Sequence, residues 1–295
     1  MKIGKLRRTA ALVSLKRIAL WLSFLAVLPT ANADGRGPDL ALIEPQELAE
    51  TIDRWILLDA RPNAEWKNGH LPGAHSFSWE DYTVTDEHGI QYRPLPDQEL
   101  AYALGRLGIT TDSPVVVYGD AQTSWGGEGW TTWLLAWLGH QGPIRLLDGG
   151  IDAWKAAGLT LSETPSPVAQ RQTVIPYAIS HRSELLAETR FVEGVDNHAN
   201  LVDVRSSFEW LTGRIAGATR ISWEDFHSGS FRVAKTKDDL RQMLTNQGID
   251  LDKPVVFYCA GGIRSAYAWT IAQLAGVTNS RNYEGSMEAW EKREN

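Results

Sequence analysis

Cysteine is almost missing from this chain: its 295 residues contain one, Cys259. A lone thiol excludes an intramolecular disulfide and a cysteine-rich zinc site. Acidic side chains are missing from the first 33 residues, which carry Lys2, Lys5, Arg7, Arg8, Lys16 and Arg17. Over the whole chain it is positive charge that is short, with 29 basic against 36 acidic residues and a net charge of −7. Binding nucleic acid through phosphate contacts suits such a chain poorly. What is present, a hydrophobic fraction of 43% and 13 tryptophans, is globular composition and excludes disorder, collagen and coiled coil. The length allows about two domains of roughly 150 residues each.

The acid-free leader has an order of its own. Its basic residues precede an 11-residue, mainly apolar run at 18–28, then Pro29-Thr30 and Ala31-Asn32-Ala33 ahead of Asp34. Basic segment, short apolar core and small residues at −3 and −1 read as a secretory signal, residues 1–33, cut after Ala33. Eleven residues are too few to span a bilayer comfortably, so no stable membrane insertion is expected after cleavage. With no cysteine near the cut, a bacterial lipoprotein is excluded. Arg7-Arg8 leaves the twin-arginine route open beside the general one, although the residues after the pair fit that signal poorly. The mature chain, 34–295, carries a net charge of −13 once the six leader cations are gone. Its expected location is periplasmic, or outside the cell.

The mature chain repeats itself. Residues 57–82 and 201–226 align without a gap, with 12 of 26 positions identical, among them Asp59/Asp203, Arg61/Arg205, Glu65/Glu209, Trp66/Trp210 and Trp79/Trp223. The match resumes at PVVVYG (114–119) against PVVFYC (254–259) and closes with LDGGIDAW (147–154) against YEGSMEAW (283–290). A period near 140 is too long for a solenoid and marks a duplicated domain. The tryptophan pairs, with Trp133/Trp269 and Trp154/Trp290 completing four, read as shared core and surface packing.

Each copy carries the same coarse pattern. A short apolar run ends in Asp-x-Arg, as buried strands do. Glycines 69 and 73, or 213 and 217, bracket a turn into another short strand. A helix follows on Leu100/Leu104/Leu107 or Leu240/Met243/Leu244, then a β-branched run after Pro114 or Pro254. Alternating strands and helices predict an α/β fold with a mainly parallel, helix-flanked sheet in each copy. The first copy spans 34–161 and the second 177–295. Between them, 162–176 holds Pro165, Pro167 and Pro176 with little apolar periodicity, and reads as a linker.

Chemistry concentrates in VVFYCAGGIRSAYAW, 255–269. Cys259 stands where a buried strand ends and a helix, expected near Ser265, begins. Gly261 and Gly262 let the loop fold so that successive N–H groups face one anion, to which the helix start adds its positive end. Such a setting lowers a thiol pKa from ~8.5 to roughly 3.5–7.5, giving the nucleophilic thiolate or holding a persulfide anion. An inert cysteine buried at a strand end is the alternative; the glycine loop and helix start weigh against it.

The paired Asp-x-Arg strands, the Gly-(His/Arg)-(Leu/Ile)-x-Gly-Ala turns, the Cys-x-x-Gly-x-Arg-Ser loop and the closing Gly-x-x-x-Trp-like segments together resemble the two-domain rhodaneses, over residues 45–293. The resemblance implies tandem α/β modules with the active site between them and the nucleophile in the second. It implies a sulfurtransferase in which Cys259 takes the outer sulfur of a small-molecule donor such as thiosulfate as a persulfide and passes it to cyanide or a thiol, in two ping-pong steps. Ala260, Gly261, Gly262, Ile263, Arg264 and Ser265 would form the active-site and substrate-binding loop. No cofactor is implied, since the cysteine carries the sulfur.

Other positions read as follows. The first copy has Gly119 opposite Cys259, then Asp120, and a loop of 14 positions to Trp133 where the second has 10 to Trp269. Without a thiol it is expected to be structural, with Ser124–Gly127 a candidate for shaping the cleft. Arg264 either holds a donor's sulfonate oxygens or braces the loop against Glu209. Asp203, Arg205, Asp59 and Arg61 read as structural braces, because the latter two persist in the copy lacking the nucleophile. The acidic Glu209 departs from thiosulfate-specialised relatives, and the loop departs from the Cys-Gly-(Ser/Thr)-Gly-Val of mercaptopyruvate-using ones. The seven histidines show no metal-ligand spacing and read as surface or turn residues. A cysteine phosphatase would need five residues between Cys and Arg; here there are four. The remaining alternative is a non-catalytic or partner-dependent periplasmic sulfur carrier or redox sensor.

Overall fold

Proline before an unbroken apolar run sets the centre of each copy. Pro114 leads into Val115–Tyr118 and Pro254 into Val255–Tyr258, and all eight strand residues are buried. Such runs, buried on both faces, suit parallel sheets covered by helices. The computed structural model describes Met1 and residues 37–164, 174–196 and 198–293. The leader beyond Met1 and the linker's residues 165–173 lie outside the described residues.

In the first copy the elements run β1 (Leu40–Ile43), α1 (Pro45–Thr51), β2 (Ile56–Asp59), α2 (Asn63–Lys67), β3 (His75–Ser76), the hairpin β4 (Thr83–Val84) and β5 (Arg93–Pro94), α3 (Asp97–Arg106), β6 (Val115–Tyr118), α4 (Gly127–Trp137), β7 (Ile144–Leu147) and α5 (Gly150–Ala156). Its sheet has the order β1-β7-β6-β2-β3, parallel throughout. The second copy continues with α6 (Thr189–Glu193), β8 (Asn200–Asp203), α7 (Ser207–Thr212), β9 (Thr219–Arg220), the hairpin β10 (His227–Ser228) and β11 (Val233–Ala234), α8 (Lys237–Asn246), β12 (Val255–Tyr258), α9 (Ile263–Leu274), β13 (Ser280–Asn282) and α10 (Ser286–Lys292). Its sheet, β13-β12-β8-β9, is also parallel. The edge strand that β1 supplies in the first copy shrinks here to a single bridge between Leu186 and Asn282. The expected α/β architecture is therefore met in both copies. Among the described residues, no helix is long and apolar enough to cross a membrane.

Two helices depart from amphipathic form. Gly127 through Ala136 of α4 are all buried, and so are Ile263 through Ala272 of α9, Arg264 excepted. A helix apolar all round is a core helix, and these two lie against each other, making the most extensive contact between elements in the fold. The crossing is close because α4 carries Gly129 there: a Cβ on it would run into the Cα of Tyr267 on α9. Thr270 Oγ1 donates to the Gly129 carbonyl at 3.1 Å across the same contact. One hydrophobic core consequently runs through both copies, from Leu58, Val117 and Trp133 to Phe257, Cys259 and Trp269. Each copy keeps a smaller cluster on its outer sheet face, around Leu48 and Trp154 or around Tyr258 and Met287.

The hairpins reach across reciprocally. Arg93, on β5, pairs with Glu284 of the second copy, and the Ala234 N–H on β11 donates to Asp148 Oδ1 of the first at 2.8 Å. Asp148 and Glu284 are equivalent positions of the repeat.

Gly129→Ala tests the crossing. Helix propensity alone would favour alanine by about 1 kcal/mol, but overpacking costs ~1–3 kcal/mol. A fall in Tm of roughly 5 °C is expected. A rise on thermal unfolding would show that the helices separate freely at this point.

Candidate functional site

Cys259 is the first residue after β12, at the carboxyl end of the strand between β13 and β8. Ligands of parallel α/β sheets gather at that end. The residue is 1% exposed, yet it lines a cleft of about 410 Å³. The loop hangs from the start of α10: Met287 N–H donates to the Cys259 carbonyl (3.2 Å), and Glu288 N–H to that of Ala260 (3.0 Å). Ser286 Oγ accepts the Cys259 N–H at 3.0 Å and donates to the Tyr283 carbonyl at 2.8 Å. Serine holds this place with φ of +48°, in the left-handed region.

Gly262 closes the loop with φ of +89°, where an added Cβ would strike the Glu284 carbonyl. Its N–H donates to Cys259 Sγ at 3.2 Å, and α9 starts at Ile263. The helix therefore begins two residues before the expected Ser265, because the turn at Gly262 already supplies the reversal. Ser265 donates its hydroxyl hydrogen to Asn282 Oδ1 (2.7 Å), while Asn282 Nδ2 donates to the Gly262 carbonyl (3.2 Å). Burial pushes the Cys259 thiol up; the Arg264 charge and the amides of Ser265 and Gly261 outweigh it and leave the pKa below its ordinary value.

Arg264 forms a two-pronged ion pair with Glu209, Nη1 to Oε2 at 2.9 Å and Nη2 to Oε1 at 2.7 Å. Glu209 has a second task. With Ser206 it makes the capping box of α7, accepting the Ser206 N–H at 3.1 Å while Ser206 Oγ accepts the Glu209 N–H at 3.3 Å. Partial burial raises the Glu209 carboxyl, but the Arg264 and Ser206 hydrogen bonds prevail and hold it down at about 2. Of the two readings of Arg264, the brace to Glu209 is the arrangement present, and the guanidinium still borders the cleft.

The four Asp-x-Arg residues lie away from the cleft lining. Arg205 donates to Asp203 (Nη2 to Oδ2, 2.7 Å) and to the Gly213 carbonyl (2.6 Å); Arg61 does the same with Asp59 (Nη2 to Oδ2) and the Gly69 carbonyl (2.8 Å). Each pair is buried and ties a strand end to the turn that follows it. The loop Cys259, Ala260, Gly261, Ile263 and Arg264 borders the cleft, whereas Gly262 and Ser265 support it from behind.

The opposite wall comes from the first copy, through Trp79, Glu80, Tyr92 and Trp125. Tyr92 packs on Gly261 and edge-on to Trp79, with ring centroids 5.8 Å apart. Sequence reasoning missed Trp79, Glu80, Tyr92 and Ser286. Trp79, paired by the repeat with Trp223, read as core and surface packing, and Tyr92 carries no motif. The extra length of the loop containing Trp125 was the one available signal, within the stretch named as a candidate.

The equivalent loop of the first copy is filled by its own side chain. Asp120 Oδ1 accepts the N–H groups of Gln122 (3.0 Å), Thr123 (2.6 Å) and Ser124 (3.0 Å), and Oδ2 accepts the Thr123 hydroxyl (2.7 Å). A Cβ on Gly119 would meet Glu128 Oε2 and Ser124 Oγ. Burial pushes the Glu128 carboxyl up to about 7. Among the described residues, no three His, Cys, Asp or Glu side chains gather as a metal site. The expectation of surface or turn histidines fails at His140, which is buried between the Tyr177 hydroxyl (3.1 Å) and the Ser113 carbonyl (2.8 Å). His70 keeps its turn position but is buried.

The rhodanese-like domain model matches residues 44–157 and again 188–293. The chain belongs to the tandem rhodanese family of sulfurtransferases. It is 30% identical to the sulfur carrier protein TtuD of Thermus thermophilus, over 84% of this chain and 89% of that one. It is 32% identical to a thiosulfate sulfurtransferase of Corynebacterium glutamicum, over 75% and 77%. A probable 3-mercaptopyruvate sulfurtransferase of Pseudomonas aeruginosa is 30% identical, over 84% and 94%. Among solved structures, SseA of Escherichia coli has the same fold, with a TM-score of 0.71 at 23% identity, over 83% of this chain and 98% of that one.

Glu209→Gln tests the double role of that carboxylate. Its pKa is depressed from the unfolded value, so its contribution to stability is complete above about pH 4.3 and disappears as pH falls toward about 2. The variant is expected to unfold at a lower Tm than wild type at pH 7, with the gap closing between about pH 5 and 2. A gap independent of pH would refute the assignment.

Proposed function

We propose that Cys259 is the nucleophile and carries the transferred sulfur. The observation that carries this reading is the sulfur at the strand end, which accepts the Gly262 N–H at 3.2 Å and borders the interdomain cleft beside Arg264, whose charge draws the thiol below its ordinary pKa. In the first step the thiolate attacks the outer sulfur of the donor. With thiosulfate, a sulfur–sulfur bond forms to Cys259, the donor's own bond breaks, and sulfite leaves with the electron pair. The persulfide anion then occupies the amide-lined loop, as anions do in such nests. Cyanide or a thiolate takes the terminal sulfur and returns the Cys259 thiolate. Ala260, Gly261, Gly262, Ile263 and Ser265 shape and support the loop. Arg264 holds the sulfur's charge, with Glu209 fixing its direction. Asp59, Arg61, Asp203 and Arg205 brace the two strand ends, and the first copy closes the cleft.

A carrier role, with the sulfur passed to a partner protein, is favoured by the likeness to the Thermus thermophilus sulfur carrier. The leader's basic residues, apolar run and Ala31/Ala33 support export and a periplasmic location for the mature chain from Asp34.

Intact-mass measurement after incubation with thiosulfate is expected to show one added sulfur atom, removed by cyanide and absent in Cys259→Ser. No adduct from thiosulfate, mercaptopyruvate or a persulfidated thiol would overturn the reading. Loading without turnover to cyanide or small thiols would favour the carrier. Export predicts an N-terminus at Asp34 in protein recovered from a periplasmic fraction.

A further inference from the structure

The two hairpins that reach across the interface occupy equivalent positions but use different chemistry. Hairpin pairing sets Pro94 opposite Thr83 in the first copy and Ala234 opposite His227 in the second. The repeat carries Thr83 onto His227, so Pro94 stands where Ala234 does, and Glu284 stands where Asp148 does. Beside the filled loop of the first copy, the Ala234 N–H donates to Asp148 Oδ1. Proline has no N–H to give. The Glu284 carboxylate is met instead by the guanidinium of Arg93, the residue just before Pro94. Glu284 is 3% exposed and its Oε1 accepts no hydrogen bond from the described residues, so Arg93 is the group that balances it.

Each member of this pair adjoins a contact on the nucleophile loop. Arg93 follows Tyr92, whose ring fills the space that a Cβ on Gly261 would enter. The carbonyl of Glu284 itself stands where a Cβ on Gly262 would be. Two residues further on, Ser286 Oγ accepts the Cys259 N–H. Both glycines of the loop are thus enclosed by one ion pair and its chain neighbour, and Gly262 is the residue whose N–H donates to Cys259 Sγ. Packing this close passes a displacement at one end to the other. The equivalent strap at Asp148 borders Gly119 and Asp120, where there is no thiol.

We infer that Arg93 and Glu284 are positioning residues for sulfur transfer: their ion pair seats the Cys259 loop against the wall lent by the first copy and keeps the Gly262 amide aimed at the sulfur. Neither group touches the reacting atoms. The rate effect rests on the persulfide reading proposed above; the effect on the thiol does not. With the pair broken, the hairpin and the start of α10 can part, the amide loses its aim, and the thiolate is less stabilised. Charge alone would act differently. Arg93→Met removes a cation, which by itself raises the thiol pKa, whereas Glu284→Ala removes an anion, which by itself lowers it. Displacement of the loop raises it in both.

The test measures Tm, the pH profile of Cys259 alkylation by iodoacetamide, and the rate of persulfide formation at saturating thiosulfate. Arg93→Met and Glu284→Ala are each expected to raise the apparent thiol pKa by about one unit and to slow loading about tenfold. Arg93→Lys is expected to restore most of both. Asp148→Ala, which cuts the equivalent strap, is expected to lower Tm while leaving the thiol pKa and the loading rate at wild-type values. Glu284→Gln, of nearly the same volume, replaces Glu284→Ala if that variant does not fold. Opposite pKa shifts in the Arg93 and Glu284 variants would reduce the pair to a charge effect and overturn the inference. A fall in Tm alone, or an equal pKa shift in Asp148→Ala, would overturn it as well, leaving only general support of the interface. Failure of wild type to take sulfur from any donor would sink the sulfur-transfer reading, and the alkylation profiles would still decide whether the pair positions Cys259.

Discussion

The place where α4 lies on α9 governs everything above it. Gly129 lets one backbone approach Tyr267 on the other without an intervening side chain, and a single core then forms through both copies. Both helices start at the carboxyl ends of central strands, β6 and β12. Pressing them together therefore presses the two strand-end loops toward the same interface. A loop tip of the first copy, at Trp125, comes to line the same cleft as Cys259 of the second. Close-packed interiors transmit such constraints because neither helix has room to retreat.

Within that frame the copies put one device to two uses. A parallel strand ending in a tight loop turns several N–H groups inward, and such groups need an anion. In the first copy Asp120 supplies it from within the loop. In the second the place is taken by Cys259, whose Sγ accepts the Gly262 N–H. The Arg264 charge beside Cys259 is held in place by a shared group: Glu209 accepts from Arg264 through both oxygens, and its Oε2 also caps α7. A net charge of −13 for residues 34–295 gives no long-range attraction to anions, so binding depends on what lines the cleft itself.

What could be read from the sequence was local. The duplication, the α/β alternation, the strands after Pro114 and Pro254 and the loop at Cys259 all lie within short, contiguous stretches. The Arg264 partner was legible as one of two options, since Glu209 sits in a repeated motif. What escaped was set by approach in space. Trp79 and Trp223 are the same residue at the same repeat position, yet one borders the cleft and the other is buried; nothing in their flanking residues separates them. Tyr92 and Ser286 are far from Cys259 along the chain and reach it only through a hairpin and the start of α10. The burial of His140 depends likewise on Tyr177, which arrives from beyond α5. The helix start at Ile263 was misjudged by two residues because the left-handed turn at Gly262 is a conformational fact that glycine permits and does not announce.

The occupied loop of the first copy also bears on whether the two halves could trade places. Placing a cysteine at position 119 would set its Cβ against Glu128 and Ser124, and Asp120 would still hold the amides of the loop. No single substitution there opens a second anion site, since several positions would have to change together. The two halves are thus wedded to unequal parts: the first lends a wall to its twin and has no vacancy of its own to offer.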